Sequence, residues 1–79
     1  MRIDKYLKVS RIIKRRTVAS EACEQGKVCV NGKVAKPATT VKEGDIIEVS
    51  FGERKFKAEI TLIAEHVLKG DAQSMYKPL

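Results

Sequence analysis

What this 79-residue sequence lacks removes most kinds of chemistry from consideration. No apolar stretch approaches the roughly 18 to 20 residues needed to cross a bilayer, and the basic N-terminus has neither an apolar h-region nor a small-residue cleavage pattern behind it. A cytoplasmic protein with no membrane partner is expected. Cysteine is scarce. Cys23 and Cys29 have neither a CxxC spacing nor the nearby histidine that would help complete a zinc site, and both read as small buried hydrophobes. His66 is the only histidine and stands far from them. Ser and Thr are few, and most carboxylates fall in strands or turns where alternation turns them to solvent, so no nucleophile with its base and no paired carboxylates emerge. The five glycines read as helix ends, turns or linkers, which leaves no phosphate-cradling loop. Neither enzymatic activity nor a metal or cofactor is expected.

Positive charge is what the chain has in excess, and it is unevenly spread. Residues 1–36 hold ten Lys and Arg against three Asp and Glu, a net of +7, whereas residues 37–79 hold six against seven, a net of −1. Clustered cations of this kind attract polyanions, which release condensed counterions when they are bound. At this length one thin core is all the chain can build, with about 60% of the unfolded surface buried.

The apolar stripe Ile3, Tyr6, Leu7, continued by Ile12 and Ile13, predicts a first helix over Ile3–Val9, with Asp4 near the positive end of its dipole and Arg2, Lys5, Lys8 and Arg11 on other faces. Tyr6 belongs to that stripe and is assigned to the core rather than to base stacking. After Lys14, Arg15 and Arg16, the Thr17 hydroxyl is expected to cap a second helix, whose small residues Ala19, Ala22 and Cys23 share a face with Val18 and which Gly26 ends. The period then changes from 3.6 to 2. Val28 and Val30 alternate with Lys27 and Cys29, and Asn31-Gly32 is the strongest two-residue hairpin signal available before Lys33-Val34-Ala35. A loop around Pro37 and a turn at Glu43-Gly44-Asp45 lead to a strand with Ile47, Val49 and Phe51 on one face. Gly52-Glu53-Arg54 turns it into a last strand carrying Phe56, Ala58, Ile60 and Leu62. Beyond Ala64 periodicity is lost. The fold class is therefore α+β: two short N-terminal helices packed on a small, mostly antiparallel sheet over residues 1–63, with residues 64–79, including Met75 and Tyr76, as a flexible C-terminal tail.

Nucleic acid is the partner these residues favour. A helix-turn-helix reader of DNA would need base-reading side chains on the outer face of the second helix, where Ser20, Glu21 and Glu24 stand instead. The cations lie on the first helix, on the loop after it and at the start of the second, which suits a surface that follows the sugar-phosphate backbone of folded RNA. The candidate contacts are Arg2, Lys5, Lys8, Arg11, Lys14, Arg15 and Arg16, with Lys27 and Lys33 flanking the hairpin.

Several ordered blocks carry a family resemblance: Arg2-Ile3-Asp4-Lys5-Tyr6-Leu7, Arg16-Thr17, Gln25 to Lys33, and Val41-Lys42-Glu43-Gly44-Asp45. Together they resemble the alpha-L RNA-binding domain named after ribosomal small-subunit protein four, which implies binding of structured RNA by the helical pair and the following turn. Lys8 to Thr17 and the Met75-Tyr76 pair are similar to the short bacterial RqcP (YabO-like) group. That resemblance implies a factor of ribosome-associated quality control that binds large-subunit rRNA and peptidyl-tRNA on stalled subunits. It also implies support for C-terminal alanine tailing by an RqcH-type partner, with Arg2 and Arg16 gripping rRNA, and a protein that is monomeric when free. Heat-shock relatives of the same fold, which bind free large subunits, are longer and carry a basic extension. Two further readings stand beside these: the targeting module of an rRNA-modifying system, and a protein-interaction module using a sheet edge.

Overall fold

Burying Ile3, Tyr6 and Leu7 on one stripe organises the start of the chain, and all three are fully buried in the computed structural model, which describes residues 1–79 and every side chain except that of Lys69. Helix α1 spans Ile3–Val9, and α2, Arg16–Glu24, packs against it with Ala19 and Cys23 in the shared core. The link between them is tight. The Ser10 hydroxyl donates to the Leu7 carbonyl (3.3 Å), the Ile13 amide donates to the same carbonyl (3.0 Å), and Arg11 sits in the left-handed region at φ 63°.

The expected Thr17 cap is corrected. Helix α2 starts one residue before it, because the Ala19 amide bonds the Arg15 carbonyl at 3.0 Å; Arg15 is the extended capping residue, without a side-chain cap, and Thr17 lies exposed in the first turn. The far end follows expectation, with Gly26 at φ +74°.

Five strands follow: β1 (Val28–Val30), β2 (Lys33–Val34), β3 (Ile46–Phe51), β4 (Arg54–Ile60) and β5 (Tyr76–Pro78), in the spatial order β2-β1-β3-β4-β5 and antiparallel throughout. Asn31 (φ 51°) and Gly32 (φ 83°) both take the positive φ of a two-residue hairpin turn. The Asn31 side chain also ties this turn to β3, accepting from the Ile46 amide (2.9 Å) and donating to Asp45 Oδ1 (3.1 Å). Period-two alternation puts Val28, Ile47, Val49, Ala58 and Ile60 on the face that the helices cover, and all are fully buried.

The tail is the main correction. Residues 64–79 are not a loose extension, since a 3₁₀ turn over Lys69–Met75 leads into β5, which pairs with β4 through Ile60↔Tyr76, Glu59↔Lys77 and Ala58↔Pro78. Met75 is fully buried, and its carbonyl accepts from the Tyr6 hydroxyl (2.7 Å) and from the amides of Thr61 (2.9 Å) and Leu62 (3.2 Å). Leu62 consequently leaves the strand and is exposed. Phe51 shares a strand face with Ile47 and Val49, as expected, but is 46% exposed where they are fully buried. It ends β3 at the turn, where the sheet and Val18 of α2 leave a groove of about 370 Å³ between them. Cys23 is buried as expected, whereas Cys29 is only half-buried.

Candidate RNA-binding surface

A buried carboxylate lies at the centre of the basic surface. Asp4 is one of two buried acidic side chains, with Asp45. One oxygen, Oδ1, accepts from the Lys5 amide (2.7 Å), from Arg2 Nε (3.2 Å) and from Arg16 Nη2 (3.4 Å), while Oδ2 accepts from Arg2 Nη2 (3.0 Å). The Arg2 and Arg16 side chains remain 51% and 46% exposed, so a single acid holds two guanidinium groups side by side with their outer edges open to solvent. The backbone beneath them is fixed as well. Arg2 bridges to Thr40, and the Ile3 amide donates to the Thr39 carbonyl at 2.7 Å.

This role for Asp4 escaped the sequence reading, which assigned it only to the helix dipole. The signal was present, since positions 3, 4 and 7 fall on one side of a helix and the stripe of Ile3 and Leu7 draws Asp4 inward.

The other candidates divide into groups. Lys8, Arg11 and Lys14 line a cleft of about 400 Å³, closed on its other side by Glu65, His66 and Val67. Among the described residues, none of these three cations, nor Arg15, has an ion-pair partner. Lys5 does, bonding Glu65, whose carboxyl is held below its ordinary range by that ammonium. Lys27 and Lys33 do not join the cluster. Lys27 lines the groove between α2 and the β3–β4 turn, and Lys33 stands exposed on the edge strand β2.

Burial suppresses the ionisation of two groups beneath this surface. The Tyr6 hydroxyl is held protonated well above its ordinary range by desolvation and by the nearby Tyr76. The Cys23 thiol is pushed up to about 11, first by burial and then by the Asp4 charge. Neither is poised for reaction near neutral pH. Among the described residues, no three His, Cys, Asp or Glu side chains gather as metal ligands, and no helix is long and apolar enough to cross a membrane. The surface can therefore bind anions and order them in space.

Comparison with known proteins gives the family. The S4 domain family matches residues 1–47, which span both helices, the hairpin and the start of β3. The chain is also 54% identical over 77 residues to the RQC P-site tRNA stabilizing factor of Halalkalibacterium halodurans, covering 98% of this chain and 88% of the relative. This chain belongs to the S4-domain family of RQC P-site tRNA stabilizing factors. The Bacillus subtilis protein of the same name is 43% identical over 76 residues, covering 96% of this chain and 88% of the relative. The fold is shared with a further protein: the trimeric structure of Vibrio cholerae heat shock protein 15 matches with a TM-score of 0.92 at 32% identity, over 100% of this chain and 81% of that one. Arg2 and Arg16 both lie within the S4 match, whereas β4 and β5 lie beyond it.

Proposed function

We propose that this chain is a non-catalytic RNA-binding factor of bacterial ribosome-associated quality control. On this reading it docks its α1–α2 hairpin on large-subunit rRNA of stalled subunits in the cytoplasm and holds peptidyl-tRNA there. It thereby supports repeated alanine addition by an RqcH-type tailing partner. The observation that carries the reading is the pair of half-exposed arginines, Arg2 and Arg16, fixed by the buried Asp4. The names of its close relatives point the same way. Lys5, Lys8, Arg11, Lys14 and Arg15 extend the contact along the backbone, and Lys27 and Lys33 would meet more distant phosphates.

Such a factor makes no bond. It works by binding one tRNA position better than the others, which shifts the population toward that position. With about five phosphate contacts, log affinity should fall against log salt with a slope of about −3.5 to −4.5.

The test is sedimentation of a lysate holding tagged wild type beside an Arg2→Ala/Arg16→Ala variant, with fractions probed for large-subunit rRNA and peptidyl-tRNA. Co-migration of wild type with subunits that hold peptidyl-tRNA, lost in the variant, is expected. Both proteins remaining at the top of the gradient would remove the ribosome as partner. The fold shared with heat shock protein 15 favours a second reading, a large-subunit recycling factor, which predicts release of the trapped chain rather than tail growth. Light scattering decides whether the free protein is the monomer proposed here.

A further inference from the structure

The sequence contains two phenylalanines and two tyrosines, and their placement is uneven. Tyr6 is in the core. The other three, Phe51 from β3, Phe56 from β4 and Tyr76 from β5, meet at one cleft of about 160 Å³ whose opposite wall is Arg11 and Ile12 from the α1–α2 link. Resting on the RNA-binding reading above, we propose that this cleft takes a single unstacked nucleobase of the bound RNA, stacked on Phe51 and covered by the Arg11 guanidinium.

Three observations carry this. First, Phe51 is 46% exposed on the sheet face that otherwise forms the core, so an aromatic face stays available beside two partly buried rings. Phe56 and Tyr76 meet edge to face, with centroids 5.6 Å apart and planes at 82°, which fixes the floor of the cleft. Second, Arg11 is held at φ 63°, a backbone region that side-chain-bearing residues seldom occupy, and the tight turn thereby places it at two clefts at once. The aromatic cleft is one. The other is the basic cleft with Lys8 and Lys14. Third, the two clefts have complementary chemistry for a nucleotide, with unpaired ammonium groups for its phosphates and flat apolar rings for its base. No carboxylate lines the aromatic cleft among the described residues. An apolar side chain from a protein partner would leave the Arg11 guanidinium in the cleft wall without a partner, a poor match for such a ligand.

The test uses the full chain and two fluorescently labelled RNA hairpins, one with an intact unpaired loop and one with the loop bases removed but every phosphate kept. Wild type should bind the intact loop about 5- to 100-fold more tightly than the abasic one. Phe51→Ala should bring that ratio close to one while leaving the abasic affinity as it was; Phe51 is half-exposed, so its truncation leaves the core filled. Phe51→Trp should keep the preference, and its indole emission should be quenched by the intact hairpin alone. Equal, salt-sensitive binding of both hairpins by wild type would overturn the base site while leaving the RNA reading intact, as would a preference that survives Phe51→Ala. Equal binding is also the outcome if the cleft serves a protein side chain. Binding of neither hairpin would overturn both readings.

Discussion

Asp4→Asn separates order from charge at the proposed RNA surface. The substitution keeps the shape and one oxygen acceptor but removes the negative charge that holds Arg2 and Arg16. Because both guanidinium groups are about half-exposed, each ion pair is discounted for solvent to roughly 0.5 kcal/mol, so the fold should lose about 1 kcal/mol. For a domain of this size that is a fall in Tm of about 4 to 8 °C. RNA binding faces two opposed effects. Removing one negative charge at about 8 Å from a phosphate favours binding by roughly 0.5 kcal/mol in water, before screening by salt. Freeing two arginines that must then be ordered on binding costs about 0.5 to 1.5 kcal/mol each. The loss of order wins by about 0.5 to 2.5 kcal/mol, and affinity should fall about 2- to 70-fold. The salt slope should stay at its wild-type value, since no cation is removed, whereas Arg2→Ala/Arg16→Ala should make it shallower by about 1.8. Anisotropy titrations of a labelled rRNA fragment at several salt concentrations measure both quantities. Tighter binding by Asp4→Asn at every salt concentration would refute the argument that the buried acid acts by fixing its arginines.

Met75→Ala should cost about 2 to 5 kcal/mol and lower the single melting transition of the whole domain; a variant that loses only β5, with an unchanged main transition by circular dichroism, would show the segment to be an independent appendage. Tyr6→Phe removes the hydroxyl that donates to the Met75 carbonyl and should cost about 1 kcal/mol, with faster amide exchange at Thr61 and Leu62, whose N–H groups share that carbonyl. Alkali should destabilise the fold: the unfolded chain releases the Cys23 proton from its ordinary pKa of 9.0 and the Tyr6 proton near about 10, while the folded state retains both, so stability is complete below that range and falls as pH rises through it. Thermal melts across the alkaline range measure the fall, and a Tyr6→Phe/Cys23→Ala variant that declines just as steeply would refute the assignment. At mildly alkaline pH, the half-buried Cys29 should be alkylated before the buried Cys23, as mass spectrometry of partially modified protein will show.

Local pattern made much of the fold legible. The apolar stripe gave α1 its span of Ile3–Val9, and Asn31-Gly32 located a hairpin because few residue pairs accept two successive positive φ values. The misses came where tertiary contact overrules local signal. Thr17 looked like a cap, yet hydrogen bonding from Ala19 to Arg15 moves the start of α2 one residue earlier. Residues 64–79 show no helical or strand period because Ala72 and Met75 enter the core from a 3₁₀ turn, and only the presence of β4 gives Tyr76–Pro78 something to pair with. The site followed the same division. Positive charge marked out the N-terminal helices, but the pairing of Arg2 with Arg16 depends on where Asp4 points. The gathering of Phe51, Phe56 and Tyr76 required three strands to be placed in register.

The hydrogen bond between the Tyr6 hydroxyl and the Met75 carbonyl spans 69 residues of sequence and bears on the order in which a cell can make this protein. Polypeptides emerge from their first residue onward, so α1 is made while its Met75 partner is still unsynthesised. A half-made copy has the flank of β4 bare, and the apolar side of its first helix lacks Met75. The packing behind the proposed RNA surface is thus completed from residues 75–78, and a copy gains it only once that segment has been made.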